Sequence, residues 1–137
     1  APVPEGFAPH ERRSPLTDPW APLYSRRVGE ALQLGVRVRE AHCNGRGFAH
    51  GGLISALADN AMGLSAVMAV RAAGVDDGAR AVTVSLALDF IDSGRVGEWL
   101  EVLPSVLKAG RTLAFVECHV KCDGRLVARG SATFRMV

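Results

Sequence analysis

From Leu32 the chain alternates. Leu32, Leu34, Val36 and Val38 point one way while Gln33, Arg37 and Arg39 point the other, the pattern of a half-buried strand. A polar loop, Asn44–Ala49, follows. The period then changes: from about Gly51 to Ala72 the chain is almost continuously apolar and reads as a helix, stopped by Gly74 and the Asp76-Asp77-Gly78 turn. Four strand-like runs complete the chain. Ala81–Ile91 sets Val82, Val84, Leu86, Leu88 and Phe90 on one face. Glu98–Lys108 is less regular, and Pro104 places it at an edge or a bulge. In Thr112–Cys122 the residues Ala114, Val116, Cys118, Val120 and Cys122 share a face. Leu126–Met136 alternates with Val127, Arg129, Ser131, Thr133 and Arg135 outward. The Cys122-Asp123-Gly124-Arg125 corner reads as a hairpin turn.

Residues 1 to about 20 hold five of the seven prolines and read as an irregular lead-in, with a short helix at Asp18–Tyr24 capped by Asp18 and started by Pro19. The organisation is therefore a lead-in over residues 1–23 and a single domain over residues 24–137, of α+β class. A twenty-residue apolar helix has nowhere to hide except under one sheet face. An antiparallel sheet curled around one central helix is the economical solution.

Composition narrows the function. At 137 residues, 48% hydrophobic and 22% charged, the chain is ordinary globular material with room for one real core. A formal charge of +2 argues against a general nucleic-acid surface. Of the sixteen basic residues only Lys108 and Lys121 are lysines, a bias that genome composition explains for most positions. Three cysteines, no apolar leader, and Glu5, Glu11 and Asp18 near the start lead to the expectation of a cytoplasmic protein with free thiols. The apolar run from Gly51 to Val70 is long enough to raise a membrane span, but Asp59 at its centre would cost about 2.5–3.5 kcal/mol there. A core helix is expected instead, with no membrane partner. Cys43, Cys118, His119 and Cys122 raise a metal site, but Cys118 and Cys122 share the apolar face of a strand that His119 opposes, so core thiols and no metal are expected.

Asp59 carries the chemistry. Its neighbours at helical spacing are Ser55, Ala56, Met62 and Gly63, and no basic residue follows on the helix until Arg71. A poorly solvated carboxylate without a salt bridge is costly unless used, and is a competent base near neutrality. At the other end, the amides of Gly51 and Gly52 open the helix, where N–H groups lack partners and the helix dipole favours negative charge. They suit a developing oxyanion. His50 serves as a general base or braces the loop against a backbone carbonyl. Asn44 aims its amide at a carbonyl or a water, or is a turn residue. Eight residues separate Gly51 from Asp59, about 12 Å along one helix. A reacting carbonyl needs donor and base within about 3–3.5 Å. One chain cannot supply both, so the spacing predicts an obligate homodimer with two composite sites, each taking its loop from one subunit and its Asp59 from the other.

Asn44, His50-Gly51-Gly52 and Asp59, with spacings of six and nine from His50, resemble the hotdog-fold acyl-CoA thioesterases. The likeness is greatest to the PaaI-like and THEM-type branch of the 4-hydroxybenzoyl-CoA thioesterase superfamily. It runs from about Tyr24 to Met136 and includes AVTVSLALDFI and KAGRTLAFVECHVKCDGRLVARGSATF. The resemblance implies a hotdog fold, a curved antiparallel sheet of five to six strands wrapped around the central helix. It implies hydrolysis of an acyl-CoA to a free acid and coenzyme A, with no cofactor. Gly51 and Asn44 would polarise the thioester carbonyl, His50 would hold the loop, and the partner's Asp59 would activate water or attack directly. Thr83 stands where relatives carry a hydroxyl that positions the water, with Ser85 second to it. The coenzyme A arm would cross the Gly52 end of the loop, Phe90, Ile91 and Arg95, and the turn holding Lys108, Gly110, Arg111 and Thr112. Arg95, Lys108 and Arg111 would meet its phosphates. The resemblance also implies a dimer of dimers. Met62, Leu64, Val67, Phe48 and the lead-in would wall an acyl pocket for an aryl or medium aliphatic chain. The rival readings are a hotdog domain that only binds acyl-CoA, which could dispense with Asp59, and a hotdog hydratase, whose acid and histidine pairing is absent.

Overall fold

A computed structural model describes residues 2–75 and 78–137; the expected turn at Asp76-Asp77 lies outside the described residues. Among the described residues there are seven strands and one long helix: β1 (Ala8–Pro9), β2 (Tyr24–Val28), β3 (Ala31–Arg37), α1 (Gly51–Ala72), β4 (Ala81–Phe90), β5 (Trp99–Ala109), β6 (Leu113–Cys122) and β7 (Arg125–Met136). All pair antiparallel in the order β1-β2-β3-β5-β6-β7-β4. The sheet wraps α1, which packs on β3, β4, β5, β6 and β7. This is the hotdog arrangement, with more strands than the five to six expected.

The helix buries Leu53, Ile54, Leu57, Ala58, Ala61, Met62, Ala66, Ala69 and Val70, a stripe with spacings of three and four. They meet Val36, Leu100, Val102, Val116, Val120 and Phe134 from the sheet. The alanines bring the backbone of α1 close to the strands. Gly63 does the same for Phe134, whose ring would lie 3.2 Å from a Cβ at that position. Ser65 is the polar exception inside the stripe. Its hydroxyl donates to Ala61 O at 2.8 Å and accepts the Leu32 N–H at 2.9 Å, so a buried polar group stitches α1 to the start of β3.

Several expectations change. The Tyr24–Val28 strand escapes the hydrophobic pattern because its centre is Ser25-Arg26-Arg27; only pairing with β3 around the Gly29 turn makes it a strand. The helix expected at Asp18–Tyr24 is a single 3-10 turn, Asp18–Trp20, since Pro22 holds the preceding residue extended. β5 is an interior strand rather than an edge. Pro104 is tolerated because β3 reaches only to Val102, leaving the Pro104 side without a second neighbour. In β7, Val127 is fully buried instead of outward. The register slips between Val120 and Lys121 of β6, so Val127 and Ala128 both turn inward. The Asp123-Gly124 corner has φ of 48° and 81°, the tight turn its sequence demands.

The lead-in is fastened to the domain. Phe7 packs edge-on against Trp99 at 5.1 Å, and the Trp99 ring covers Gly35, where any side chain would collide with it. Arg39 reaches back to donate to Pro19 O at 3.1 Å and Ala21 O at 2.7 Å. Beside it His42, 1% exposed, accepts the Arg39 N–H on Nδ1 at 3.0 Å and donates from Nε2 to Trp20 O at 2.9 Å. These partners define one neutral tautomer.

Burial pushes the His42 pKa below its ordinary value; the Trp20 hydrogen bond opposes this and the Arg39 charge adds to it. An unfolded histidine titrates at about 6.5. Stability from neutral His42 is therefore complete above that value and is lost as the pH falls below it toward the folded value, because the unfolded chain takes up the proton first. Thermal melts at fixed protein concentration should show a fall in Tm between pH 7.5 and 5.5 that is shallower in His42→Asn. Equal slopes in the two proteins would remove His42 as the cause. His10, whose pKa burial also lowers, accounts for a remainder.

Candidate active site

The loop before α1 is clamped from both sides. Ala49 N–H donates to Gly94 O at 2.8 Å, and His50 N–H donates to His42 O at 2.9 Å. Within the loop, Asn44 Oδ1 accepts the N–H groups of Arg46 (2.9 Å) and Phe48 (3.2 Å). That engages the oxygen of the amide and leaves its NH₂ without an acceptor among the described residues. The residue is thus a turn former, the second of its two expected roles.

His50 is the N-cap of α1. Its Nδ1 accepts the Gly52 N–H at 2.8 Å, so it braces the loop, through an amide rather than the carbonyl expected. The Gly52 N–H is therefore occupied and unavailable to a ligand. The Gly51 N–H has no acceptor among the described residues. A Cβ there would stand 3.3 Å from the Phe90 ring, a tight contact to which the ring would have to yield. The Gly51 N–H thus stands at the positive end of a helix dipole, beside the exposed Phe90 ring.

Eight residues along α1, Asp59 accepts a 2.7 Å hydrogen bond from the Thr83 hydroxyl. It is half-buried, not enclosed in the core, because the helix face carrying it looks across a cavity. A bulge at Val84 makes the Thr83 contact possible. Thr83 lies opposite the buried Phe134, but Ser85 already lies opposite Thr133 on the outer face. Residues directly opposite share a face, so the extra residue turns Thr83 inward, sends Ser85 away from Asp59, and separates Val82 from the inward set Leu86, Leu88 and Phe90. The single apolar face expected for this strand is therefore split in two.

The cavity, about 940 Å³, runs from Asp59 and Thr83 along α1 past Gly63, Leu64 and Val67, and the lead-in from His10 to Thr17 forms its far wall. Leu64, Val67 and the lead-in line it as expected. Met62 does not, being fully buried, and Phe48 belongs to the loop at the other end, bridged to Arg95. His10 and Asn60, both lining residues, carry no role in the sequence reading. The His10 Nε2 is buried there without a hydrogen-bond partner.

The structure brings Phe90, Ile91 and Arg95 beside the loop and helix N-terminus. It places Lys108, Gly110, Arg111 and Thr112 elsewhere. Their turn sits by the start of β4, where Thr112 O accepts the Met136 N–H, whereas the helix begins by the end of β4. Cys118 and Cys122 are buried in the sheet, and burial pushes their thiols up to about 11 and about 12, which keeps them protonated and unreactive near neutrality.

Arg125, read from the sequence only as part of a hairpin turn, organises the neighbouring loop. It donates to Asp92 at 3.0 Å, to Glu98 at 2.9 Å and to Ser93 O at 2.6 Å, while Glu98 accepts the Arg95 N–H at 2.7 Å. The Arg125 hydrogen bond holds the Glu98 carboxyl below its ordinary range. Nothing in a hairpin-turn arginine reveals this, because its partners lie about thirty residues away along the chain.

The chain and its central-helix fold are similar to known proteins. The family model described as the thioesterase superfamily matches residues 46–128, and the chain belongs to that superfamily. It is 43% identical over 135 residues to the Pseudomonas aeruginosa protein PA0474, named as an esterase by inference, covering 98% of this chain and 97% of that one. It is 34% identical over 100 residues to human acyl-coenzyme A thioesterase 13, covering 72% of this chain and 67% of that one. Among solved structures, smu.793 from Streptococcus mutans, bound to acetyl CoA, superimposes with a TM-score of 0.76 at 25% identity, covering 93% of this chain and 94% of that one.

Gly94 joins the Arg125-organised loop to the loop before α1. A Cβ there would stand 2.7 Å from Cys122 Sγ and 3.3 Å from Ala49 Cβ. Gly94→Ala should cost about 1–3 kcal/mol in urea unfolding. Cys122→Ala, which removes the obstructing sulfur, should recover part of that loss. Strict additivity of the two substitutions would show that this contact is not what Gly94 serves.

Proposed function

We propose that this protein is an acyl-CoA thioesterase that works as an obligate homodimer. The observation that carries the reading is the placement of two complementary half-sites on one helix. The donor pair at Gly51 and Asn44 lies about 12 Å from the Asp59–Thr83 pair, too far for one substrate carbonyl. An antiparallel second copy brings the donors of one subunit to the Asp59 of the other. Strand β4 supports such a copy: it is a sheet edge whose Val82, Val84 and Phe90 are more than half exposed.

In this scheme the Gly51 N–H and Asn44 NH₂ hold the thioester oxygen and stabilise the negative charge that forms on it. Asp59 of the partner subunit takes a proton from water as the water oxygen attacks the carbonyl carbon, or attacks that carbon itself and is released by water afterwards. Either route breaks the C–S bond, and the thiolate leaves as coenzyme A once protonated. The Thr83 hydroxyl, bound to one carboxylate oxygen, orients the other toward the reaction. The acyl group runs into the cavity along α1. The coenzyme A arm passes Phe90, Ile91 and Arg95 of one subunit and the Lys108–Thr112 turn of the other, which explains why the two lie at opposite ends of a single sheet. The scheme uses no metal or cofactor. Exposed Leu107, Leu113 and Phe115 on the outer sheet face support a dimer of dimers, and three unpaired thiols support a cytoplasmic location.

Thiol release across a panel of acyl-CoAs tests the activity; binding without release would favour an acyl-CoA sensor. Asp59→Asn should retain the dimer and lose about 10²–10⁴-fold in kcat. Near wild-type turnover would end the assignment. Subunit sharing has its own test. Asp59→Asn and Asn44→Ala, each nearly inactive, should on refolding together regain roughly a quarter of wild-type activity, because half the dimers carry one intact site. No recovery from a mixture shown to contain heterodimers would place both groups in one chain's site.

A further inference from the structure

We propose that His42 is a positioning residue that holds the carbonyl-binding loop and the lead-in wall of the cavity in a common register. What each wall does rests on the thioesterase reading above. The link itself rests on three bonds. The His42 carbonyl accepts the His50 N–H at 2.9 Å, one residue before the Gly51 donor. Its Nε2 donates to Trp20 O at 2.9 Å, and its Nδ1 accepts the Arg39 N–H at 3.0 Å. Trp20 closes the 3-10 turn that follows the cavity-lining residues His10 to Thr17, and that turn is itself tight: Asp18 N–H donates to Ser14 O at 2.9 Å and Trp20 N–H to Thr17 O at 2.9 Å.

A short path therefore runs from the cavity wall at Thr17 through Trp20 and His42 to the helix cap at His50. His42 is 1% exposed, so its ring cannot exchange these partners for water. In a composite dimer the wall belongs to the subunit that supplies Asp59, and the loop serves the other site. His42 then sets the acyl wall of one site and the carbonyl donors of its neighbour together. An ordinary buried histidine would affect stability alone. A positioning residue also affects discrimination between acyl groups that reach the wall and those that do not.

Two substitutions separate its bonds. Asn can reproduce the Nδ1 acceptor for Arg39 but falls short of Trp20, and Gln can place a donor near Trp20 O without serving Arg39. We expect His42→Asn to raise KM for octanoyl-CoA about tenfold relative to acetyl-CoA, the equivalent of one lost hydrogen bond. Its kcat for acetyl-CoA should change by less than about threefold, and amide exchange at residues 17–21 should quicken. His42→Gln should keep most of the discrimination. Arg39→Gln, which frees Pro19 and Ala21 without touching the loop, should lose discrimination with exchange at residues 48–52 unchanged, and stands in if His42→Asn does not fold. An unchanged octanoyl-to-acetyl ratio, or exchange at 17–21 that does not quicken, would overturn the proposal. If the wild-type protein releases thiol from no acyl-CoA, the hydrolase reading fails, while the exchange measurements still decide whether His42 ties the two walls.

Discussion

Everything in this molecule follows from a helix that is apolar around most of its circumference and polar at one corner. Ten residues of α1 are buried, and the sheet must curl to cover them. At Asp59 and Asn60 it cannot close without burying an amide and a carboxylate. The sheet therefore ends at β4, and the lead-in crosses on the far side without meeting it. The gap between them is the cavity. Core packing and the opening of the site are consequences of one sequence stripe.

The same helix places its two chemical features at fixed separation. Its N-terminus offers an unpaired Gly51 amide in a loop whose other polar groups are spent internally: Asn44 Oδ1 on two amides, His50 Nδ1 on Gly52. Rigidity comes from outside the helix, through Gly94 and Arg125 on one side and His42 on the other. Asp59 is held differently, by a single hydroxyl from a bulged edge strand.

Much of this was legible in the linear chain. A long apolar run with one acid, preceded by Asn44 and His50-Gly51-Gly52, marks the helix and the residues of the proposed half-sites, because helix geometry converts sequence spacing directly into distance. Alternation identifies β6 and most of β7 for the same reason. The pattern fails where local preference is weak. β2 has two arginines at its centre and exists through its partner strand. The slips at Val84 and Val127 are decided by register against β7 and β6, and they reverse which residues face inward.

Sequence alone thus determined the central helix and the α+β class, and it set the spacing of Asn44, Gly51 and Asp59 along that helix and the loop before it, all properties of residues close together along the chain. Only the tertiary structure decided that Thr83 rather than Ser85 meets Asp59, that the Gly52 amide is already occupied, and that His42 and Arg125 hold the loops. Those outcomes join residues eight to more than thirty positions apart, apart from the local His50–Gly52 cap. They depend on strand register and burial, which no single stretch of sequence encodes.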